Sequence, residues 1–277
     1  MKIFNILIII SLLYSSLTST DWRDYPTCKI GRLQSPIQIK EYESIYANNF
    51  SFVYQSYKQC PKCEIKENYA YTIDFSEVGG GYINFERGGV IKQYEFIRAE
   101  LYNGLHEVDG IKGEYELHLI HRKNLDFVTN KNQYRSIQDP NLYLVVVLRY
   151  LNDCNENKKV CTSDNGLMEN LMSNNQTSCN FNLNDYKIFQ DKRAYFYEGS
   201  FVHIPCDENV NYYIVKDFFK LKTNISSINL GENNIPAANL FGRPVYKNFM
   251  NYREVLGNDY FSFKTIFASF LFIIILL

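Results

Sequence analysis

The sequence predicts a single mainly β (α+β) domain, on three observations. Apolar and polar residues alternate in short runs, the pattern of half-buried strands. Tyrosine and phenylalanine, which suit a pleated surface, number 23 and 20. With two apolar ends set aside, about 235 residues remain, enough for one core of good size.

Read in order, segment 1–20 has a basic start, an apolar run and a small polar exit, as in Met1-Lys2 through to Thr20. It reads as a signal peptide, with a buried N-terminal helix as the alternative. Strands are expected at 69–75, 81–86, 91–102, 114–121, 142–150 and 211–215. Gly79-Gly80-Gly81 and Gly88-Gly89 mark turns between them. The stretch 152–184 is rich in Asn, Ser and Asp and reads as a loop excursion with a short helix at 167–172. No internal repeat appears. Ile266 to Leu277 form an apolar tract shorter than the roughly 20 residues that span a bilayer. Segment 257–277 reads as a GPI-attachment signal, with Gly257 or Asn258 as the attachment position. A tail helix reaching back through Tyr260 and a buried strand are the alternatives. The domain between the ends is 21–256.

A net charge of −1 gives no electrostatic case for nucleic acid. Secretion predicts an oxidising compartment, the secretory pathway and then the extracellular face of the plasma membrane. Three sequons, at Asn49, Asn175 and Asn224, agree with it. Seven cysteines occur. Cys154 and Cys161 flank a polar loop and can close it. Cys60-Pro-Lys-Cys63 reads as half a zinc ribbon, a redox pair or a local disulfide; secretion favours the last. With Cys179 also present, the odd total leaves one thiol free or intermolecular.

The four histidines are His106, His118, His121 and His203. The first three fall in H-E-V-D-G-I-K-G-E-Y-E-L-H-L-I-H, residues 106–121. Three further motifs accompany it: C-K-I-G-R-L-Q-S-P-I-Q-I at 28–39, Y-E-G-S-F-V-H-I-P-C at 197–206, and N-N-I-P-A-A-N-L-F-G-R-P-V at 233–245. In type, order and spacing these resemble the α-carbonic anhydrases from about residue 22 to residue 246. The resemblance implies one domain around a large, mostly antiparallel twisted sheet with peripheral helices. It also implies a disulfide between Cys28 and Cys206.

The chemistry of that family needs three neutral imidazoles on Zn²⁺ and a bound water that ionises near neutral pH. By the resemblance, His118 holds the third ligand position, Glu116 supports it, and His106 and His121 are structural. The other two ligands form an H-x-H pair upstream, and no histidine precedes His106. The shortest family spacing, lengthened by one residue, places that pair at Ala99 and Leu101, with Arg98 and Glu100 on the other face. The hydroxide-orienting threonine is Val202, its neighbour is His203, and the relay glutamate is Leu105. The shuttle histidine would fall near 80–82, and the arginine of the closing motif is Ile235. On a strand, Glu116 and His118 share one face and His121 takes the other.

The expectation is therefore a scaffold kept without its reaction: no zinc or other cofactor, no carbon dioxide hydration, and a binding or surface-display role toward a protein or surface ligand. The membrane is reached through the lipid anchor. The first rival is an active zinc-dependent carbonate dehydratase with a rebuilt metal site, drawn from His118, His203 and Glu116. The second is a coat or adhesion component cross-linked through the odd cysteine.

Overall fold

The computed structural model describes residues 26–58, 64–67, 70–75, 79–125, 141–152, 154, 161–163, 166–173, 182–186, 193–222, 230 and 235–250. The expected signal segment and tail, Cys60, Cys63, Cys179, Asn175 and Asn224 lie outside them. Among the described residues, no helix is long and apolar enough to cross a membrane.

Among the described residues, the α-helices are the short α1 (Pro26–Ile30) and α2 (Leu167–Ser173). The strands are β1 (Gln38–Ile39), β2 (Ile45–Tyr46), β3 (Phe50–Tyr57), β4 (Glu64–Glu67), β5 (Tyr71–Asp74), β6 (Gly81–Arg87), β7 (Val90–Asn103), β8 (Glu107–Val108), β9 (Ile111–Lys112), β10 (Tyr115–Lys123), β11 (Tyr143–Leu151), β12 (Cys161–Thr162), β13 (Ala194–Gly199), β14 (Val210–Lys220) and β15 (Tyr246–Lys247).

Twelve of these strands make one large sheet, in the order β2-β15-β13-β14-β11-β10-β7-β5-β4, with β12 on β14 and the β3–β6 pair on β7. It is mostly antiparallel. Parallel joins occur at β11–β14, β12–β14 and β15–β2. A small sheet of β1, β8 and β9 lies beside it. The expected strands appear, most of them longer than predicted. The strands β3 and β13 lie outside the expected runs. A bulge between Phe52 and Tyr54 breaks the alternation of β3. In β13, Ala194 to Tyr197 are buried on both faces, so no polar residue marks a period.

Packing follows the pleat. On β10, Leu117 and Leu119 enter one core with Ala99, Leu101, Val146 and Leu148. Ile120 enters the other, with Val145, Val147, Tyr197 and Tyr212. Both faces of the central strands are therefore covered. This sheet is a rigid platform, and a side chain on it has a fixed side.

Among the described residues, two disulfides form. Cys28–Cys206 ties α1 to the loop after β13, with Cα atoms 5.1 Å apart across 178 residues of chain. Cys154–Cys161 closes the polar loop. Asn49 is exposed just before β3.

Candidate functional site

His118 stands on the middle of β10, almost wholly buried. Glu116, two residues earlier, shares its face, and its carboxylate is fully buried. That carboxylate accepts three hydrogen bonds: from the backbone N–H of His106 at 2.6 Å, from His106 Nδ1 at 2.8 Å, and from His118 Nε2 at 3.1 Å. A carboxylate only accepts when ionised, so both imidazoles present N–H to it. Burial alone would push the Glu116 carboxyl up. The charge and hydrogen bonds of His106 and His118 more than offset this and hold it well below the usual carboxylate range. Burial pushes His106 down, toward the neutral ring.

The chain of contacts continues inward. His106 Nε2 lies 2.7 Å from the Tyr197 hydroxyl, which lies 3.0 Å from Ser35 Oγ. The Tyr197 ring stacks on Tyr212 at 4.9 Å. His121 faces the opposite core. Its Nδ1 donates to Leu144 O at 3.3 Å, and its Nε2 lies 2.9 Å from the Tyr57 hydroxyl. Burial pushes its pKa down to about 3. His106 and His118 thus meet on the Glu116 carboxylate, and His121 is held separately in the opposite core.

The outer side of His118 differs from the expectation. In the β10–β7 ladder, His118 faces Glu100 and Glu116 faces Tyr102. Direct antiparallel partners point to the same face. Glu100 and Tyr102 therefore flank His118, and Arg98 follows on the same side. Ala99 and Leu101 pair with Leu119 and Leu117 and belong to the opposite core. The placement of the missing pair at Ala99 and Leu101 is corrected by one residue, and Arg98 and Glu100 lie on the face first denied to them. The assumed spacing was one residue too long. Gly104 fixes the turn: a Cβ there would collide with the backbone of Gly113.

These outer residues satisfy one another. Arg98 Nε donates to Glu100 Oε1 at 2.6 Å, and the Tyr102 hydroxyl donates to Glu100 Oε2 at 2.6 Å. Burial, then the neighbouring Glu100 charge, raises the Tyr102 phenol well above its ordinary pKa. The Tyr102 ring lies 4.8 Å from that of His118. His203 Nδ1 lies 3.1 Å from Ile204 O, to which it donates. Its Nε2, 3.2 Å from Arg98 Nη2, then accepts. Its ring stacks on Phe201 at 5.0 Å.

Leu105 and Val202, expected at the relay and orienter positions, are buried with Tyr102 and Ala70 in one apolar cluster, and Ile235 packs against it. Among the described residues, the potential ligand atoms that come within 4.8 Å of one another belong to His106, Glu116 and His118. His203 is not among them, so the set of His118, His203 and Glu116 is not assembled. The roles of Tyr102 and Tyr197 were not anticipated. For Tyr102 the signal was available: it lies an even number of residues from Glu100, two before the turn glycine.

Comparison with known proteins agrees with this architecture. Among solved structures, dioscorin complexed with ascorbate is similar with a TM-score of 0.59 and 20% identity, over 83% of this chain and 91% of that one. The α-carbonic anhydrase of Thermovibrio ammonificans, solved with the inhibitor sulfanilamide, is similar with a TM-score of 0.58 and 20% identity, over 81% and 93%. No curated protein matches in sequence. The family described as eukaryotic-type carbonic anhydrase matches residues 17–248, which takes in the whole β10 motif, the β13 loop and the closing segment. The chain belongs to the eukaryotic-type carbonic anhydrase family.

Proposed function

We propose that this chain is a carbonic anhydrase-like protein that does not hydrate carbon dioxide and serves as a secreted binding or surface module. One observation carries the reading. Where the family's reaction needs a wet, proton-handling groove beside the metal, Tyr102, Leu105, Val202 and Ile235 pack together as an apolar cluster. Val202 has no hydroxyl to orient a bound hydroxide, and Leu105 cannot relay a proton.

The metal position supports the same reading. A catalytic zinc of this family takes three neutral imidazoles. Here His118 is one imidazole. Its neighbours are a carboxylate already paired with a guanidinium and a phenol held protonated. The Arg98 cation would also repel a metal ion. This donor set does not fit zinc.

Elemental analysis of the purified chain is expected to find far less than one zinc per chain, with stopped-flow hydration at background. About one zinc per chain with sulfonamide-sensitive hydration would overturn the proposal. A rebuilding test locates the lost positions. Glu100→His with Tyr102→His, together with Arg98→Gln to remove the competing charge, is expected to gain zinc. Ala99→His with Leu101→His is expected to lose stability without gaining metal, because those side chains enter the opposite core. Zinc uptake by the second pair alone would refute the register.

The two disulfides and the exposed Asn49 support an extracellular setting. We assign the membrane attachment to a lipid anchor near residue 257. Phosphatidylinositol-specific phospholipase should release the chain from cells. Retention with the tail still detectable would favour a tail helix instead.

A further inference from the structure

Adjoining the family site, with which it shares Val202 and Ile235, lies a cavity of about 450 Å³, walled by α1, the Cys28–Cys206 disulfide and the segment from Ile235 to Phe241. We infer that it binds a small apolar molecule carrying a carboxylate. This goes beyond the loss of zinc chemistry: its failure would leave that reading intact.

Three features point to a ligand. The volume falls in the range of small-molecule pockets. Its walls are mainly apolar, and the disulfide makes one of them rigid. At its rim, two large apolar side chains stand out in water: Ile30 is 74% exposed and Phe241 is 64% exposed. A folded chain gains nothing by itself from displaying them.

Phe241 adds an independent sign. Its φ of +48° lies in the left-handed region, where a bulky side chain is strained. Gly242 follows it at φ +79°, so the turn already contains a glycine, yet the residue before it is aromatic. Strain kept at an exposed position marks a residue retained for contact rather than for folding.

The charge of the ligand follows from the rim. Among the described lining residues, Lys29 is the one cationic side chain, and the Glu208 carboxylate behind Gly31 and Gln34 is taken up by the Leu33 N–H and Gln34 Nε2. Lys29 is exposed, so it adds a modest preference for an anion rather than a strong one.

The test uses the full chain and three probes: 8-anilinonaphthalene-1-sulfonate fluorescence, with octanoate and octanol as competitors. Octanoate is expected to displace the dye at roughly threefold to fivefold lower concentration than octanol. Lys29→Gln should erase that difference while leaving octanol unchanged. Ala238→Trp, which fills the cavity, should abolish displaceable dye binding; dye that still binds belongs to other apolar segments. Phe241→Gly guards against a misfolded variant, since it relieves strain. It is expected to raise the Tm while weakening octanoate several-fold. Displaceable binding that survives Ala238→Trp, equal competition by octanol and octanoate in the parent chain, or unchanged octanoate affinity in Phe241→Gly would each overturn the inference.

Discussion

The two sides of His118 were treated differently. On the inner side, Glu116, His106 and Tyr197 form a closed polar chain with each hydrogen bond made. On the outer side, an ion pair, a phenol and an apolar cluster surround the same ring. The inner groups hold the strands together whether or not chemistry follows. The outer groups satisfy one another and leave the His118 ring with ring contacts on that side. The difference teaches that one side of a buried histidine can be fixed by a closed hydrogen-bond network while the other is packed by an ion pair and apolar groups.

The comparison breaks first at Glu116. Glu116→Gln keeps the shape but places an amide N–H₂ against N–H donors, and it removes the only buried counter-charge of that network. It is expected to cost about 4 kcal/mol in denaturant unfolding. A cost below about 1 kcal/mol would mean the inner half is not structural. Next, Cys28→Ser with Cys206→Ser frees the loop that carries Val202 and His203. Closing a long loop limits the unfolded chain, so a loss of about 3 kcal/mol is expected under non-reducing conditions.

His121, on the opposite face, supplies a pH control. Its pKa is lowered from 6.5 to about 3 in the folded chain. Between these values the unfolded chain binds a proton that the folded chain refuses. Stability therefore falls as pH drops from 6.5 toward 3, by at most about 1.4 kcal/mol per pH unit for this group, and the term is flat below that. His121→Phe should flatten the slope of unfolding free energy against pH in that window. An unchanged slope would assign it to other groups.

The smallest effect is expected on the outer side. Arg98→Met with Glu100→Gln removes the ion pair but leaves Tyr102 an acceptor. Partly exposed pairs stabilise little, so the change should lie within about 1 kcal/mol. A loss as large as that of Glu116→Gln would erase the distinction between the halves.

Much of this was legible in the chain. The motif around His106, Glu116 and His118 carried both the family and the inner network, because spacing by two on a strand fixes a shared face. The outer half was misread at β7. In F-I-R-A-E-L-Y, Phe96, Ala99, Leu101 and Tyr102 are all buried, since both faces of this strand are covered. Without alternation no residue declares its side, and one extra residue assumed in the turn moved the whole set across the sheet. Strand β3 escaped for a related reason, as its bulge shifts the period midway. The ion pair of Arg98 with Glu100 had no sequence signature, because charged residues two apart are usually a solvated edge.

The three bonds to Glu116 have a consequence for where such a protein can live. A histidine clamped by an ion needs that ion from its surroundings each time a new copy folds. A histidine clamped by its own chain's carboxylate needs none. On the function proposed above, chelators and metal-starved fluids should leave its geometry unchanged. The molecule carries its own supply.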